Sequence, residues 1–214
     1  MDLLSYIVTA VLAYMLGSVP TGFLVARSKG VDIRSLGSGN IGATNVFRIL
    51  GKPAGIFVLA MDALKGWLAV VLGVRAVVGI LRPDAGQSTH EYHALIAALC
   101  AVLGHNYTCW LRFKGGKGIA TSAGVLLALV PLSLAIILSV WIIVFALTRY
   151  VSLASISASI ALPFAAWLTR ESTTMVAVTG ALGALAVYKH RTNIQRLLQG
   201  TEPRIGMRPK EAAK

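Results

Sequence analysis

Acidic residues are scarce in this chain. Its 214 residues include 8 Asp and Glu against 20 Lys and Arg, for a formal net charge of +12, and only 13% are charged. So few charges cannot cover the surface of a water-soluble domain of this length, and 56% of the residues are hydrophobic with a mean hydropathy of +0.74. The composition predicts an integral membrane protein. Cysteine is also scarce: Cys100 and Cys109 stand nine positions apart in one predicted helix. That is about 13 Å along the axis at ~1.5 Å per residue, too far to bridge. Both read as small apolar fillers. Aromatics are not interleaved with the basic residues, so the positive charge does not describe a base-stacking surface, and nucleic acid is not an expected partner. No basic leader precedes the first apolar run, which is therefore expected to be a retained span.

What the chain does have is membrane-length apolar sequence broken by short basic connectors. The first run covers 3–26, passing through Gly17-Ser18-Val19-Pro20, and the segment after it holds Arg27, Lys29, Arg34, Arg48 and Lys52 against only Asp2 before it. The positive-inside tendency then puts the amino terminus outside. Further runs cover 54–80, 94–111, 119–148, 151–168 and 174–188. The run 119–148 is long for one helix, and counting it once would leave the tail with Lys189, Arg191, Arg196, Arg204, Arg208, Lys210 and Lys214 outside. A break near Pro131 restores the parity. The expected fold is therefore all-α, one transmembrane domain over 1–214, with seven spans and a cytoplasmic carboxyl terminus. On the outer side, Arg82-Pro83-Asp84-Ala85-Gly86 reads as a turn. His90, Glu91 and His93 follow it; His-x-x-His would suit a metal, but a solvated helix start is the plainer reading.

Chemistry concentrates on the predicted inner side. Gly37-Ser38-Gly39-Asn40-Ile41-Gly42-Ala43-Thr44-Asn45-Val46-Phe47-Arg48 combines glycines that can turn backbone N–H groups inward with neutral donors at Ser38, Asn40, Thr44 and Asn45 and a guanidinium at Arg48. That is the makeup of a phosphate cradle. Gly37, Gly39 and Gly42 also satisfy the dinucleotide pattern G-x-G-x-x-G, with Asp62 about twenty residues on, but that reading needs a soluble strand before it. A flexible linker is the bland alternative. A second loop runs Gly104-His105-Asn106-Tyr107, then Phe113-Lys114-Gly115-Gly116-Lys117-Gly118-Ile119-Ala120-Thr121, and feeds a helix whose amino-terminal dipole suits an anion. It is not a P-loop, since Gly118 follows Lys117. Lys114 and Lys117 read either as phosphate cations or as plain positive-inside charges.

Asp62 and Lys65, three apart, share a helix face and are expected to pair, either as functional intramembrane charges or as a brace for the adjoining loop. Ser152, Ser155, Ser157 and Ser159 open the sixth span; small hydroxyls suit close helix packing, though Ser155, one turn in, could also reach a substrate oxygen. The tail begins Tyr188-Lys189-His190-Arg191-Thr192-Asn193, continuing a helix with His190 and Asn193 on one face. Such a pair can orient and deprotonate a hydroxyl; an interfacial basic helix on anionic lipid is the alternative. Inner-side carboxylates are limited to Asp32, Glu202 and Glu211, and no Ser-His-Asp or Cys-His nucleophile is visible. Direct attack by an acceptor hydroxyl is therefore favoured.

The order and spacing of these motifs, with Asp62-Ala63-Leu64-Lys65-Gly66, Thr148-Arg149-Tyr150-Val151-Ser152-Leu153-Ala154-Ser155, His190-Arg191-Thr192-Asn193-Ile194, Arg196-Leu197 and Gly200-Thr201-Glu202, closely resemble the bacterial acyl-phosphate:glycerol-3-phosphate acyltransferases, the PlsY family, over essentially the whole chain. The resemblance implies transfer of a fatty acyl group from acyl phosphate to the 1-hydroxyl of sn-glycerol 3-phosphate, giving lysophosphatidic acid and phosphate in phospholipid synthesis, at the cytoplasmic face of the bacterial inner membrane. By that analogy Ser38, Arg48, Lys117, His190 and Asn193 hold glycerol 3-phosphate, with His190, Asn193 and Ser38 as the catalytic group. Gly39, Asn40, Gly42, Thr44, Asn45, Ser155, Gly115, Gly116 and Gly118 would take the acyl phosphate. Asp62, Lys65 and His105 would support the site from behind. No cofactor, metal or obligate protein partner is implied beyond membrane lipid. Asn106-Tyr107-Thr108 departs from the family pattern, which often has Phe-Pro after the histidine. The rival class is a transporter or exchanger of organic phosphates, which should show inverted repeats and a mid-membrane site; neither is visible. A lipid-binding scaffold would not need His190 and Asn193 beside two phosphate loops.

Overall fold

The computed structural model describes residues 2–84 and 86–206, leaving out the side chain of Asp2. Ala85 of the outer turn and Arg208, Lys210, Glu211 and Lys214 of the tail lie outside the described residues. The chain forms two compact units, Met1–Pro131 and Leu132–Lys214. Among the described residues there is helix and turn but no strand.

The first unit contains α1 (Asp2–Ser18), α2 (Thr21–Ser28), α3 (Ala43–Leu50), α4 (Lys52–Leu68), α5 (Val74–Leu81), α6 (Gln87–Asn106) and α7 (Ile119–Leu129). The second contains α8 (Pro131–Thr148), α9 (Val151–Leu168), α10 (Thr173–Lys189) and α11 (Arg191–Leu198). Five stretches are long and apolar enough to cross a membrane: Leu3–Ser28, Lys52–Leu81, Gln87–Leu111, Pro131–Thr148 and Val151–Leu168. Ile119–Leu129 and Thr173–Lys189 are shorter apolar helices.

The break expected near Pro131 is present: α7 ends at Leu129 and Pro131 opens α8, where its missing N–H removes no helical bond. The first run, expected to be continuous, is broken. α1 stops at Ser18 and α2 restarts at Thr21, because Pro20 has no N–H to continue the ladder and its ring crowds the preceding turn. A π-turn at Ala69–Gly73 joins α4 to α5 inside the second run. Cys109 is not in the same helix as Cys100. It sits in a 3₁₀ turn, Cys109–Leu111, beyond the end of α6, and both thiols are free.

α6 begins at Gln87, earlier than the run 94–111 suggested, and His93 is not a solvated residue at its start. It is fully buried against α1, hydrogen-bonded through Nδ1 to Thr9 Oγ1 at 2.7 Å and through Nε2 to Ser5 Oγ at 3.3 Å, and stacked on Tyr6. The α1–α6 pair is close: a side chain at Gly17 would overlap the Ala101 carbonyl, and one at Gly104 would overlap the Tyr14 carbonyl. Small residues at such positions let backbones approach in lipid, where packing rather than water exclusion drives association.

Asp62 and Lys65 form a buried ion pair at 2.7 Å. Lys65 Nζ also donates to the Val19 carbonyl at 2.8 Å, at the α1–α2 break, and to His105 Nδ1 of α6 at 3.0 Å. Of the two readings of this pair, the geometry supports the brace. Replacing Lys65 by Met leaves Asp62 buried without its cation. We expect it to destabilise the protein by about 3–5 kcal/mol, and Asp62→Asn/Lys65→Met to be milder than Lys65→Met alone. Thermal unfolding in detergent measures both, and equal losses would refute the brace.

Candidate active site

In the first unit, the loop before α3 is organised by one buried amide. Asn45 Oδ1 accepts the Ser38 N–H at 3.0 Å, while Nδ2 donates to the carbonyls of Asn40 at 2.9 Å, Leu36 at 3.0 Å and Ile33 at 3.3 Å. Asn45 thus shapes the loop instead of offering donors to an anion, contrary to the direct role expected of it. Asn40 Oδ1 accepts the Gly42 N–H at 2.8 Å, forming an Asx turn that enters α3, and Gly39, at φ +68°, donates its N–H to Leu36. The first turn of α3 offers an outside acceptor the N–H groups of Ala43 and Thr44, with the Thr44 hydroxyl. Arg48, half-buried and one turn on, shares a face with Thr44, and Ser38 is exposed on the loop. Behind the loop, Ile33, Ile41, Val46 and Leu111 join one buried apolar cluster.

The second glycine loop is differently used. Gly115 and Gly116 donate their N–H groups to the carbonyls of Asn106 and His105, closing the carboxyl end of α6. A side chain at Gly116 would overlap His105 Nε2. These two glycines, expected to take the acyl phosphate, use their N–H groups to cap α6. Gly118, at φ +80°, precedes α7, with Lys117 half-buried beside it and Lys114 exposed earlier in the loop. His105, expected to support the site from behind, accepts from Lys65 Nζ at Nδ1, which puts its hydrogen on Nε2, against Gly116.

In the second unit, Ser155 is buried and its Oγ accepts from Trp141 Nε1 at 3.1 Å, joining α9 to α8. Of its two readings, this is the packing one. α10 ends at His190 and α11 begins after it, so the expected continuous helix is broken at the histidine itself. His190 Nδ1 lies 2.8 Å from the Ala186 carbonyl. A carbonyl can only accept, so Nδ1 carries the hydrogen and neutral His190 has its basic lone pair on Nε2.

Glu202, which the sequence reading named as an inner carboxylate and as part of the Gly200-Thr201-Glu202 motif but gave no role at the site, is a hub. Gly200 at φ +69° ends α11 and turns the chain back. The buried Glu202 carboxylate then accepts from Ser152 Oγ at 2.6 Å and Asn193 Nδ2 at 2.6 Å through Oε1, and from Arg196 Nε at 2.7 Å through Oε2. Burial alone would raise its pKa; the hydrogen bonds from Ser152, Arg196 and Asn193 outweigh that and hold it below the ordinary carboxylate value. The local sequence signal was an acid two residues after Gly200 and six after Arg196, within the Gly200-Thr201-Glu202 motif.

Comparison with known proteins identifies the family. The glycerol-3-phosphate acyltransferase family model matches residues 7–200. Glycerol-3-phosphate acyltransferase of Desulforudis audaxviator is 49% identical over 209 residues, covering 97% of this chain and 100% of that one. The enzyme of Geotalea daltonii is 45% identical over 198 residues, covering 92% and 96%. The solved structure of PlsY, an integral membrane glycerol 3-phosphate acyltransferase, in its glycerol 3-phosphate form, is 40% identical with a TM-score of 0.83, covering 94% of this chain and 96% of that one. Its lysophosphatidic acid form gives a TM-score of 0.81 with the same identity and coverage. Matched by the family model over residues 7–200 and by relatives 45% and 49% identical over nearly its whole length, the chain belongs to the glycerol-3-phosphate acyltransferase family.

Proposed function

We propose that this protein transfers a fatty acyl group from acyl phosphate to the 1-hydroxyl of sn-glycerol 3-phosphate, releasing lysophosphatidic acid and phosphate. The observation that carries the reading is the Glu202 hub, which holds Asn193 in place three residues from a histidine whose tautomer leaves Nε2 basic. Such a pair suits a hydroxyl that must be oriented while it loses a proton. Membership of the family supports the acceptor, and the glycerol 3-phosphate and lysophosphatidic acid forms in which PlsY was solved agree with it. In this reading residues 1–214 are one functional domain with seven spans, the amino terminus outside and the site at the cytoplasmic face of the inner membrane.

In this reading Arg48, Lys117 and Ser38 take the acceptor's phosphate, and Asn193 and His190 its hydroxyls. The donor phosphate lies at the first turn of α3, on Thr44 and the N–H groups left open there, with Asn40 and Gly42 lining the approach and Gly118 leading into α7. Asn45, Gly115, Gly116 and Ser155 act indirectly, by shaping loops and holding helices. The 1-hydroxyl oxygen attacks the acyl carbonyl carbon, a tetrahedral oxyanion forms near the loop N–H groups, and the carbon–oxygen bond to phosphate breaks. The hydroxyl proton leaves with the donor phosphate, which is already in place; His190 Nε2 is the other acceptor for it. The mixed anhydride is activated already, so no covalent enzyme intermediate is required.

Purified protein in lipid, given radiolabelled glycerol 3-phosphate, is expected to make lysophosphatidic acid with acyl phosphate and none with acyl-CoA. Product from acyl-CoA alone would overturn the donor assignment, and tight acceptor binding without product from either donor would favour a transporter. Arg48→Ala is expected to raise KM for glycerol 3-phosphate by at least tenfold, the weight of one charge-assisted contact. Unchanged KM would remove Arg48 from the site.

Glu202→Gln is expected to lower kcat with little change in KM, by loosening Asn193. Because the folded pKa of Glu202 is depressed, its contribution to stability is complete above the unfolded value near 4.5 and is lost as pH falls through the lower folded value. Acid unfolding of Glu202→Gln should therefore lack that component, and a profile matching the native chain would refute the hub.

A further inference from the structure

A cavity of about 420 Å³ lies in the first unit, lined by Arg34, Trp110, Leu111, Arg112 and Lys114. None of these residues holds substrate in the reaction above. Arg34 comes from the 3₁₀ turn Ile33–Ser35, Trp110 and Leu111 from the turn Cys109–Leu111, and Arg112 and Lys114 from the segment after it, where Arg112 at φ +54° and Phe113 at φ +61° are left-handed. The bonds from Phe113 N–H to the Thr108 carbonyl and from Lys114 N–H to the Leu111 carbonyl hold that turn in shape.

The charge around the cavity is not balanced. Asp32 pairs with Arg34 at 2.7 Å, and the hydrogen bonds from the Arg34 side chain and backbone lower its pKa to about 2, so it stays ionised and offsets that one guanidinium. Arg112 and Lys114 are exposed and, among the described residues, not ion-paired. Two uncompensated cations therefore face a space large enough for a phosphate group. Beside them Trp110 is 60% and Phe113 62% exposed. Large aromatics left open next to cations at the end of apolar helices are the pattern of a membrane interface, where rings sit at headgroup depth.

We propose that this cavity binds the phosphate of an anionic glycerophospholipid, with Arg112 and Lys114 on the phosphate and Trp110 and Leu111 against the start of the acyl chains. A free phosphate would use the cations but leave the aromatic wall without a function, which is why the lipid is the favoured source. An occupant there would join the turn at Ile33–Ser35 to the turn at Cys109–Leu111, and the first of these is bonded into the Asn45-organised loop.

The test is lipid retention by the delipidated full-length protein, read by native mass spectrometry with added phosphatidylglycerol or phosphatidylcholine of the same chains. Phosphatidylglycerol is expected to bind on the order of tenfold more tightly, and Arg112→Asn or Lys114→Gln to weaken it by about fivefold each. Asn keeps the left-handed backbone at 112 accessible, and if Arg112→Asn fails to fold, Lys114→Gln gives the same reading. Lys29→Gln, an exposed cation outside the cavity, should leave binding unchanged. Equal retention of the two lipids would overturn the proposal, as would a loss with Lys29→Gln matching that with Arg112→Asn. Displacement of phosphatidylglycerol by millimolar inorganic phosphate or glycerol 3-phosphate would reassign the cavity to a free phosphate.

Discussion

Two charges buried among apolar helices must neutralise each other and find further partners, and the Asp62–Lys65 pair does so in a way that positions much of the first unit. Each charge alone would be costly to desolvate. Lys65 uses its remaining donors on the Val19 carbonyl, exposed by the break before Pro20, and on His105 at the carboxyl end of α6. α4 is thereby tied to the α1–α2 junction and to α6 through one ammonium. His105 in turn lies against Gly116, so the brace extends to the start of α7.

Several backbone donors of the two glycine loops are spent on keeping the loops in shape: the N–H groups of Ser38, Gly39, Gly42, Gly115 and Gly116 all bond within the protein. Asn45 closes the first loop and the end of α6 absorbs the second, which leaves the opening turn of α3 and the side chains of Thr44, Arg48, Lys117 and Ser38 as the groups suited to anions. A loop that is internally satisfied is rigid, and rigidity is what lets a few donors discriminate charge as it develops in a reaction. The second unit follows the same logic with a carboxylate. Glu202 accepts three side-chain donors and so converts Asn193 from a flexible amide into a fixed one.

Much of this was legible in the sequence. Apolar length and basic connectors announce the membrane helices, Pro131 marks a break because proline opens a helix but cannot continue one, and Asp62 and Lys65 pair because a three-residue step lands on one face. Pro20 carries the same signal as Pro131, yet the apolar run around it masked the break. His93 was misread for a related reason: Ser5 and Thr9, the partners that bury it, lie more than eighty residues away on α1 and leave no local trace.

By itself, the sequence determined the all-helical membrane class, the position of the motifs and the family, since these depend on composition, periodicity and local spacing. Only the tertiary structure decided which polar groups face inward. Asn45, Gly115, Gly116 and Ser155 carry the same chemistry as their neighbours, and whether an N–H or amide is free for a ligand depends on which distant carbonyl or side chain the fold brings within hydrogen-bonding reach. Glu202 became a hub for the same reason: a left-handed turn at Gly200 returns it to Asn193, Arg196 and Ser152.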